Sequence, residues 1–392
     1  MVDKTQDNLP AEICGVIGST VRDLLNRPHA SSQRARLAVG GALLKLAEDG
    51  IANADAEREK RELAALDKFL RLGRDRLSQE EKKLLREARD MGEAGYATGA
   101  ATGGGILVPV DFNDMVTSAM KDYSPLLSLA TIIQSPTGSP RPFPTDQDAN
   151  SSGELQPENV QANLADVSQP GQVILTSFKF SSKEIRLSRE LLQDQEVNLP
   201  EYLARILGVR LGRVISTYCT TGTGSGQPVG FMNSSTIVNA GTAAGTTGAE
   251  IAGADFALVE SAVDAAYRPR AKWMCHPSTL QLLRGFVDLA GHPLYPGLSN
   301  SPDGIDRIMN REIVTNPAMD ALQTGPSNPL TTVRPLALCD FTQYTVRMCP
   351  IILQRLDEKY AEFFQVAYVA YQRADGNFTT AGNCAAYLET TY

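Results

Sequence analysis

Between Pro125 and Arg189 the chain runs through a long stretch that has little to bury. It holds Pro136, Pro140, Pro142, Pro144, Pro157 and Pro170, several glycines, and the acidic-amide run from Asp146 to Asn150. A strand pattern closes it. Ile174, Thr176, Phe178, Phe180 and Ser182 fall on one side, and Leu175, Ser177, Lys179 and Ser181 on the other. After Ser181-Ser182 the phase changes, and Ile185 and Leu187 become the apolar pair. A period of two with one slip predicts a long strand with a bulge. A compact domain rarely carries so long a weakly structured connection unless the loop is functional. Two foldings are open: a surface hairpin, or an arm that finishes folding on a neighbouring subunit. The scarcity of apolar residues favours the arm, because a two-stranded ribbon is marginal alone.

The chain has 392 residues, too many for one ordinary core, so two or three domains are expected. Its 42% hydrophobic and 21% charged content is that of a globular protein. No apolar run reaches the roughly 18 residues of a membrane span, and no signal-peptide core opens the sequence. Cys14, Cys219, Cys275, Cys339, Cys349 and Cys384 are scattered without close pairs, as reduced thiols are, and match neither a disulfide frame nor a zinc knuckle. Residues 1–100 hold 17 basic and 17 acidic side chains; subtracting these from 37 and 45 leaves 20 and 28, so the whole net charge of -8 sits on the later part. An acidic body grips nucleic-acid phosphates poorly, although it can enclose them.

Residues 1 to about 95 read as short helices. Ile13, Ile17, Val21, Leu24 and Leu25 form one apolar stripe, and Leu43, Leu44, Leu46 and Ala47 a second. Leu63, Leu66, Phe69 and Leu70 form a third, on a highly charged helix ending near Gly73. Ser78-Gln79-Glu80-Glu81 is a capping box that opens a fourth. A linker of Gly, Ala and Thr from Gly92 to Gly105 marks the main boundary. Phe112, Met115, Val116, Ala119 and Met120 then recur at helical spacing. Asn198 as cap, Pro200 in the first turn and Glu201 start a long helix to about Thr217, with Leu203, Ile206, Leu207, Leu211, Val214 and Tyr218 on its apolar side. Arg205, Arg210 and Arg213 lie elsewhere on it, as a solvated face, intersubunit ion pairs or phosphate ligands. Residues 235–345 look α/β: a helix from Phe256 to Ala266, a buried strand Lys272 to Cys275, a helix Leu280 to Leu289, then short strands. Phe363 to Tyr371 is ambiguous between strand and helix, and Cys384 to Leu388 reads as a final strand.

Chemistry is scarce. His29, His276 and His292 have no partners at metal-ligand spacing. There is neither a Gly-x-Ser-x-Gly elbow nor a zinc-protease helix, and Cys275 closes an apolar strand as a structural thiol does. The glycine loop from Gly222 to Gly230 fits neither a Walker loop nor a dinucleotide fingerprint, and it follows a helix, so it reads as a tight turn. These residues favour an assembling protein over an enzyme, with no cofactor and no metal.

Several motifs recur in a recognisable order: Gly104-Gly105-Ile106-Leu107-Val108-Pro109, Ser124-Pro125-Leu126-Leu127, Ile185 to Asp194, Gln227-Pro228-Val229-Gly230, Trp273 to Leu283, Gly291-His292-Pro293-Leu294-Tyr295, and Leu338-Cys339-Asp340-Phe341. In this order, over residues 103–392, the chain resembles the tailed-bacteriophage major capsid proteins of the Hong Kong-type fold. The resemblance implies an α+β fold. Residues 1–100 would be a small helical, scaffolding-like module and linker, with Gly99, Gly103 and Gly104 in a candidate cleavage linker. Residues 101–140 would be an N-terminal arm, and 141–190 an extended β-hairpin loop lying over the adjacent subunit. Residues 191–234 and 341–375 would be a peripheral domain with a long spine helix carrying Asn198, Pro200, Arg205, Arg210 and Arg213. Residues 235–340 and 376–392 would be an axial α/β domain.

In the extended loop the contact residues would be Phe143, Glu154, Gln156, Glu158, Phe178, Lys179, Phe180 and Lys183. Some relatives crosslink subunits through a loop Lys; Glu154 to Glu158 has none, so that chemistry is not carried over. The implied function is a virion shell of pentamers and hexamers around double-stranded DNA, bound without sequence preference. Assembly would take place in the bacterial host cytoplasm, away from membranes, with a portal and a prohead protease as partners. The alternative is an encapsulin-like cargo compartment.

Overall fold

A computed structural model describes residues 56–73, 76–90, 105–107, 109–145, 155, 158, 171–193, 198–243, 251–286, 305–322, 332–380 and 382–391. Two helices come first, α1 over 56–72 and α2 over Gln79–Asp90. The expected capping box opens α2: Ser78 N donates to Glu81 Oε2 at 2.7 Å and Glu81 N to Ser78 Oγ at 3.2 Å. The two apolar stripes between Ile13 and Ala47 lie outside the described residues, as do Cys14, His29, His292, Gly99, Gly103, Gly104, Glu154 and Gln156.

The chain continues with β1 (Gly105–Leu107), α3 (Val110–Tyr123), α4 (Pro125–Leu129) and β2 (Thr131–Gln134). Strand β3 (Arg141–Thr145) pairs antiparallel with β4 (Gly171–Leu175), and these two form a ribbon separate from the other sheets. Next come β5 (Phe178–Ser181), β6 (Ile185–Ser188), α5 (Arg189–Gln193) and α6 (Leu199–Thr221).

The strand phase slips twice, where one slip was expected. Leu175 is buried and Ile174 half exposed in β4, whereas Phe180 and Ser182 are buried in β5 and beyond. Thr176 and Ser177 absorb the first change. Ser182 to Glu184 absorb the second, with Lys183 at φ 59°. The first slip is invisible in the sequence because Thr and Ser fit either face.

Helix α6 has 23 residues, four more than predicted, and is roughly 34 Å long. Asn198 precedes it but does not cap it; its Nδ2 donates instead to Glu201 Oε2 at 3.1 Å. Leu203, Leu207, Leu211 and Ile215 are fully buried along one side. Gly208 and Gly212, one turn apart, let α3 lie directly on the backbone. A Cβ on Gly208 would stand 2.6 Å from Ala119 Cβ and 2.9 Å from Val116 O. Gly208→Val is therefore expected to force the two helices apart at a cost of about 1–3 kcal/mol, read as a lowered urea midpoint.

The second half contains β7 (Ile237–Thr242), α7 (Gly253–Ala262), β8 (Lys272–Cys275), α8 (Pro277–Arg284), β9 (Arg307–Ile308), β10 (Arg311–Thr315) and β11 (Thr332–Cys339). After these come β12 (Tyr344–Met348), β13 (Ile352–Leu356), β14 (Gln365–Phe378) and β15 (Ala385–Thr391). The two helices expected here start earlier, at Gly253 and Pro277, and end earlier, at Ala262 and Arg284. The ambiguous stretch after Phe363 is strand: from Val366 to Ala370 β14 is buried on both faces, so its apolar run carries no alternation to read.

One sheet is built around β14. Strands β12 and β13 pair along one edge of it, and β5 and β6 along the other. β1 extends the sheet beyond β13 and β2 beyond β12. The other sheet has the order β7-β15-β11-β8-β10-β9. Its strands alternate as a two-faced sheet should. Trp273, Cys275, Leu336, Leu338, Ala386 and Leu388 pack with Phe256, Val259, Leu280 and Leu283 of α7 and α8, while Met274, Ala337, Cys339, Ala385 and Tyr387 join the main core. Asn316 Nδ2 donates to Thr220 Oγ1 at 2.9 Å, tying this sheet to α6.

Candidate assembly surfaces

The ribbon leaves the body at a buried polar root. Arg347, in the middle of β12, is 1% exposed. Its Nη1 donates to Ser139 O at 2.6 Å and Leu175 O at 3.0 Å, and its Nη2 to Thr137 O at 2.6 Å and Ser135 Oγ at 2.9 Å. One guanidinium thus holds both legs of the ribbon. A planar fork of donors can satisfy several carbonyls at once, where an ammonium is a point charge.

Asp375 is paired directly across from it in β14. Asp375 Oδ2 accepts Thr176 N at 2.6 Å and Thr176 Oγ1 at 3.0 Å, and Oδ1 accepts Gly376 N at 2.8 Å. Burial pushes this carboxyl above the usual carboxylate range, against the lowering pull of Thr176, Gly376 and Arg347. A carboxyl raised on folding favours the folded state in acid, and that contribution is lost as pH rises through its folded value. Ser177 Oγ donates to Gly138 O at 2.9 Å and closes the root.

Phe178, Lys179, Phe180 and Lys183 were expected within the extended loop, and the structure places them in the body. Phe178 to Ser181 are hydrogen-bonded to Tyr371–Ala374 of β14, because Thr176 and Ser177 turn the chain out of the ribbon and into the sheet. Phe180 packs on Tyr218 of α6, with ring centroids 5.6 Å apart. Lys179 stands over the Tyr371 ring at 4.2 Å and Arg186 over Tyr360 at 5.2 Å. Phe143 lies in the ribbon and is half-buried, while Leu155 and Glu158 are exposed. Pro200 is buried, and Arg205, Arg210 and Arg213 are exposed. Arg210 Nη1 reaches Glu184 O at 3.2 Å, bridging α6 to the second slip.

The N-terminal helices are part of the body, although the sequence reads as a separate module. Leu66 and Leu70 of α1 are fully buried and Phe69 is 3% exposed. The end of α1 is held by side chains of the sheet: Tyr368 OH donates to Leu70 O at 2.5 Å, and Arg355 Nη1 to Phe69 O at 3.3 Å. Arg71 Nη1 donates to Leu192 O at 3.2 Å. Gly73 ends the helix at φ +87°, with the Arg355 guanidinium 2.4 Å from where a Cβ would stand. A cation and a hydroxyl at the unsatisfied carbonyls of a helix C-terminus stabilise it there.

His276 caps α8, its Nδ1 accepting Ser278 N at 3.1 Å. Burial pushes the thiols of Cys219, Cys275 and Cys384 up to about 12. Iodoacetamide at pH 8 is therefore expected to leave these three unmodified until urea unfolds the chain, with mass spectrometry as the readout. The glycine loop is a closed turn: Gly230 N donates to Gly222 O at 2.9 Å and Gly224 N to Pro228 O at 3.2 Å. Among the described residues no group of His, Cys, Asp and Glu could hold a metal ion, and no helix is long and apolar enough to cross a membrane.

Two sheets, a long helix lying across them and a projecting ribbon define a capsid-type subunit. The family model of the phage capsid family matches residues 104–382, and the chain belongs to that family. Solved structures share the fold. The chain titled "Capsid of native GTA particle computed with C5 symmetry" is 18% identical, with a TM-score of 0.55 over 76% of this chain and 97% of that one. "Capsid of empty GTA particle computed with C5 symmetry" is 17% identical, with a TM-score of 0.52 over 68% and 90%. None of the curated proteins compared matches the chain. By family it is a capsid shell protein of the bacteriophage type.

Proposed function

We propose that copies of this chain assemble as pentamers and hexamers into an icosahedral shell that encloses phage double-stranded DNA. The reading rests on family membership over residues 104–382. It is supported by a ribbon that the sequence leaves without a core and that Arg347 fixes at its root. A rigid root with a polar ribbon beyond it lets one subunit reach another at several angles, as five-fold and six-fold positions require. Many modest contacts in a closed shell sum to a stability no single one supplies. The net charge of -8 suits a container that holds DNA without gripping it. The chain acts without a catalytic step, and a portal and a prohead protease complete the assembly. By the family resemblance, residues 1–100 serve as internal scaffold. Expression of the full chain alone, with light scattering and electron microscopy, tests the reading: rings of five and six or closed shells are expected, and a stable monomer at every salt and protein concentration contradicts it.

A further inference from the structure

We propose that the exposed side of α6 is the surface on which this subunit meets duplex DNA, with arginine guanidinia on backbone phosphates, an inference that rests on the shell-forming reading above. Arg205, Arg210 and Arg213 are exposed along that side, away from the buried run of Leu207, Leu211 and Ile215. The sequence around them is bare of other charge. From Tyr202 to Ala249 these three are the only charged side chains, on a chain of net charge -8. Glu201, just before, is engaged locally, its Oε2 accepting Asn198 Nδ2 at 3.1 Å.

Among the described residues no carboxylate forms an ion pair with any of the three. Arg210 uses Nη1 on Glu184 O, 3.2 Å away. The guanidinia of Arg205 and Arg213 make no hydrogen bond or ring contact among the described residues. Each keeps a full charge and five donors for an acceptor from outside. Helix α3, which packs on Gly208 and Gly212, carries Asp111, Asp114 and Asp122 against Lys121, so the positive field is confined to α6 itself.

Eight residues of helix set Arg205 and Arg213 about 12 Å apart along the axis. A duplex presents about seven charges over that span, one per roughly 1.7 Å. It can therefore meet both arginines at any register and in any sequence, whereas a folded protein partner would need carboxylates at one matched spacing. Tyr202, one turn before Arg205, is exposed and adds a hydroxyl of the kind that bonds phosphate oxygens. Helix α6 as a whole is nearly as long as one turn of duplex, about 34–36 Å. Two phosphate contacts per copy are weak alone, and the acidic remainder of the chain keeps them so. Repeated over a shell, they lay DNA against the wall without fixing it there.

The test uses the full chain in four forms: wild type, Arg205→Gln with Arg213→Gln, Arg205→Lys with Arg213→Lys, and, on the other face of the β14 sheet, Lys179→Gln with Arg186→Gln. Fluorescence anisotropy of a mixed-sequence duplex measures binding by dilute, unassembled protein at about 50 mM and about 200 mM salt, and sedimentation measures assembly separately. Wild type is expected to bind about tenfold more weakly at the higher salt, the fall that two neutralised phosphates give. The glutamine pair is expected to bind about tenfold more weakly than wild type at the lower salt and to lose most of the salt dependence. Its urea midpoint and its assembly should stay at wild-type values, because both side chains are exposed and unbonded. The lysine pair should bind nearly as wild type does, since a phosphate accepts a point charge, and so should the Lys179 and Arg186 pair. Wild-type binding by the glutamine pair overturns the proposal while leaving the shell reading intact. So does a lysine pair as weak as the glutamine pair, an equal loss in the Lys179 and Arg186 pair, or a wild type that binds no duplex at the lower salt. Impaired assembly of the glutamine pair with unchanged DNA binding overturns it too, and assigns the stripe to ion pairs between copies. A wild type that binds DNA through α6 but never assembles removes the shell reading and leaves the DNA contact standing.

Discussion

Replacing Arg347 by leucine is expected to destabilise the chain by about 3–5 kcal/mol, the cost of removing one member of a buried charged network. The leucine fills the volume but donates nothing. Thr137 O, Ser139 O, Leu175 O and Ser135 Oγ lose their donor in a site closed to water, and Asp375 loses its nearby cation. The deficit has a pH sign. Without the guanidinium Asp375 rises further, the folded variant holds its proton to higher pH, and the variant falls further behind wild type as pH climbs through that value. Arg347→Lys should fall between the two, because one ammonium cannot span both legs of the ribbon. Urea unfolding at pH 5 and pH 8 checks both points. A loss of under about 1 kcal/mol would show that the root is not held by this side chain.

Leu66→Ala with Leu70→Ala is expected to release α1 and α2 from the sheet. Each change removes about 2–5 kcal/mol of burial, more together than a local docking contact withstands. The loss is confined to the docked helices, because β14 and α6 keep their own core. Limited proteolysis is the readout: residues 56–90 become cleavable while the body from β1 to β15 stays resistant. Tyr368→Phe, which removes only the hydroxyl donated to Leu70 O, should give a milder form, with a loss of about 1 kcal/mol. Unchanged proteolysis in the double variant would mean that the helices are held by other contacts.

Much of the fold was legible because single-faced elements write their period into the sequence. The stripe of α6 and the capping box of α2 could be read residue by residue. The ribbon was legible through what it lacks: its prolines and acidic residues have few apolar residues between them. β14 was ambiguous because both of its faces are buried, and the slip at Thr176 because two small polar residues fit either side. The docking of α1 was hidden for a different reason. Its receptor, Arg355 and Tyr368, lies far along the chain, and a charged helix followed by a glycine-rich linker looks independent whatever its apolar stripe covers. Arg347 was missed as well; the one signal available was an arginine in the apolar strand Thr345 to Met348, where an isolated charge needs partners.

Electron cryo-microscopy of the particle formed by the full chain decides the matter. The account predicts copies arranged around five-fold and six-fold centres, with the ribbon of each copy leaving its Arg347 root and lying over the next. A small closed oligomer or a monomer whose ribbon folds back on its own sheet would contradict it.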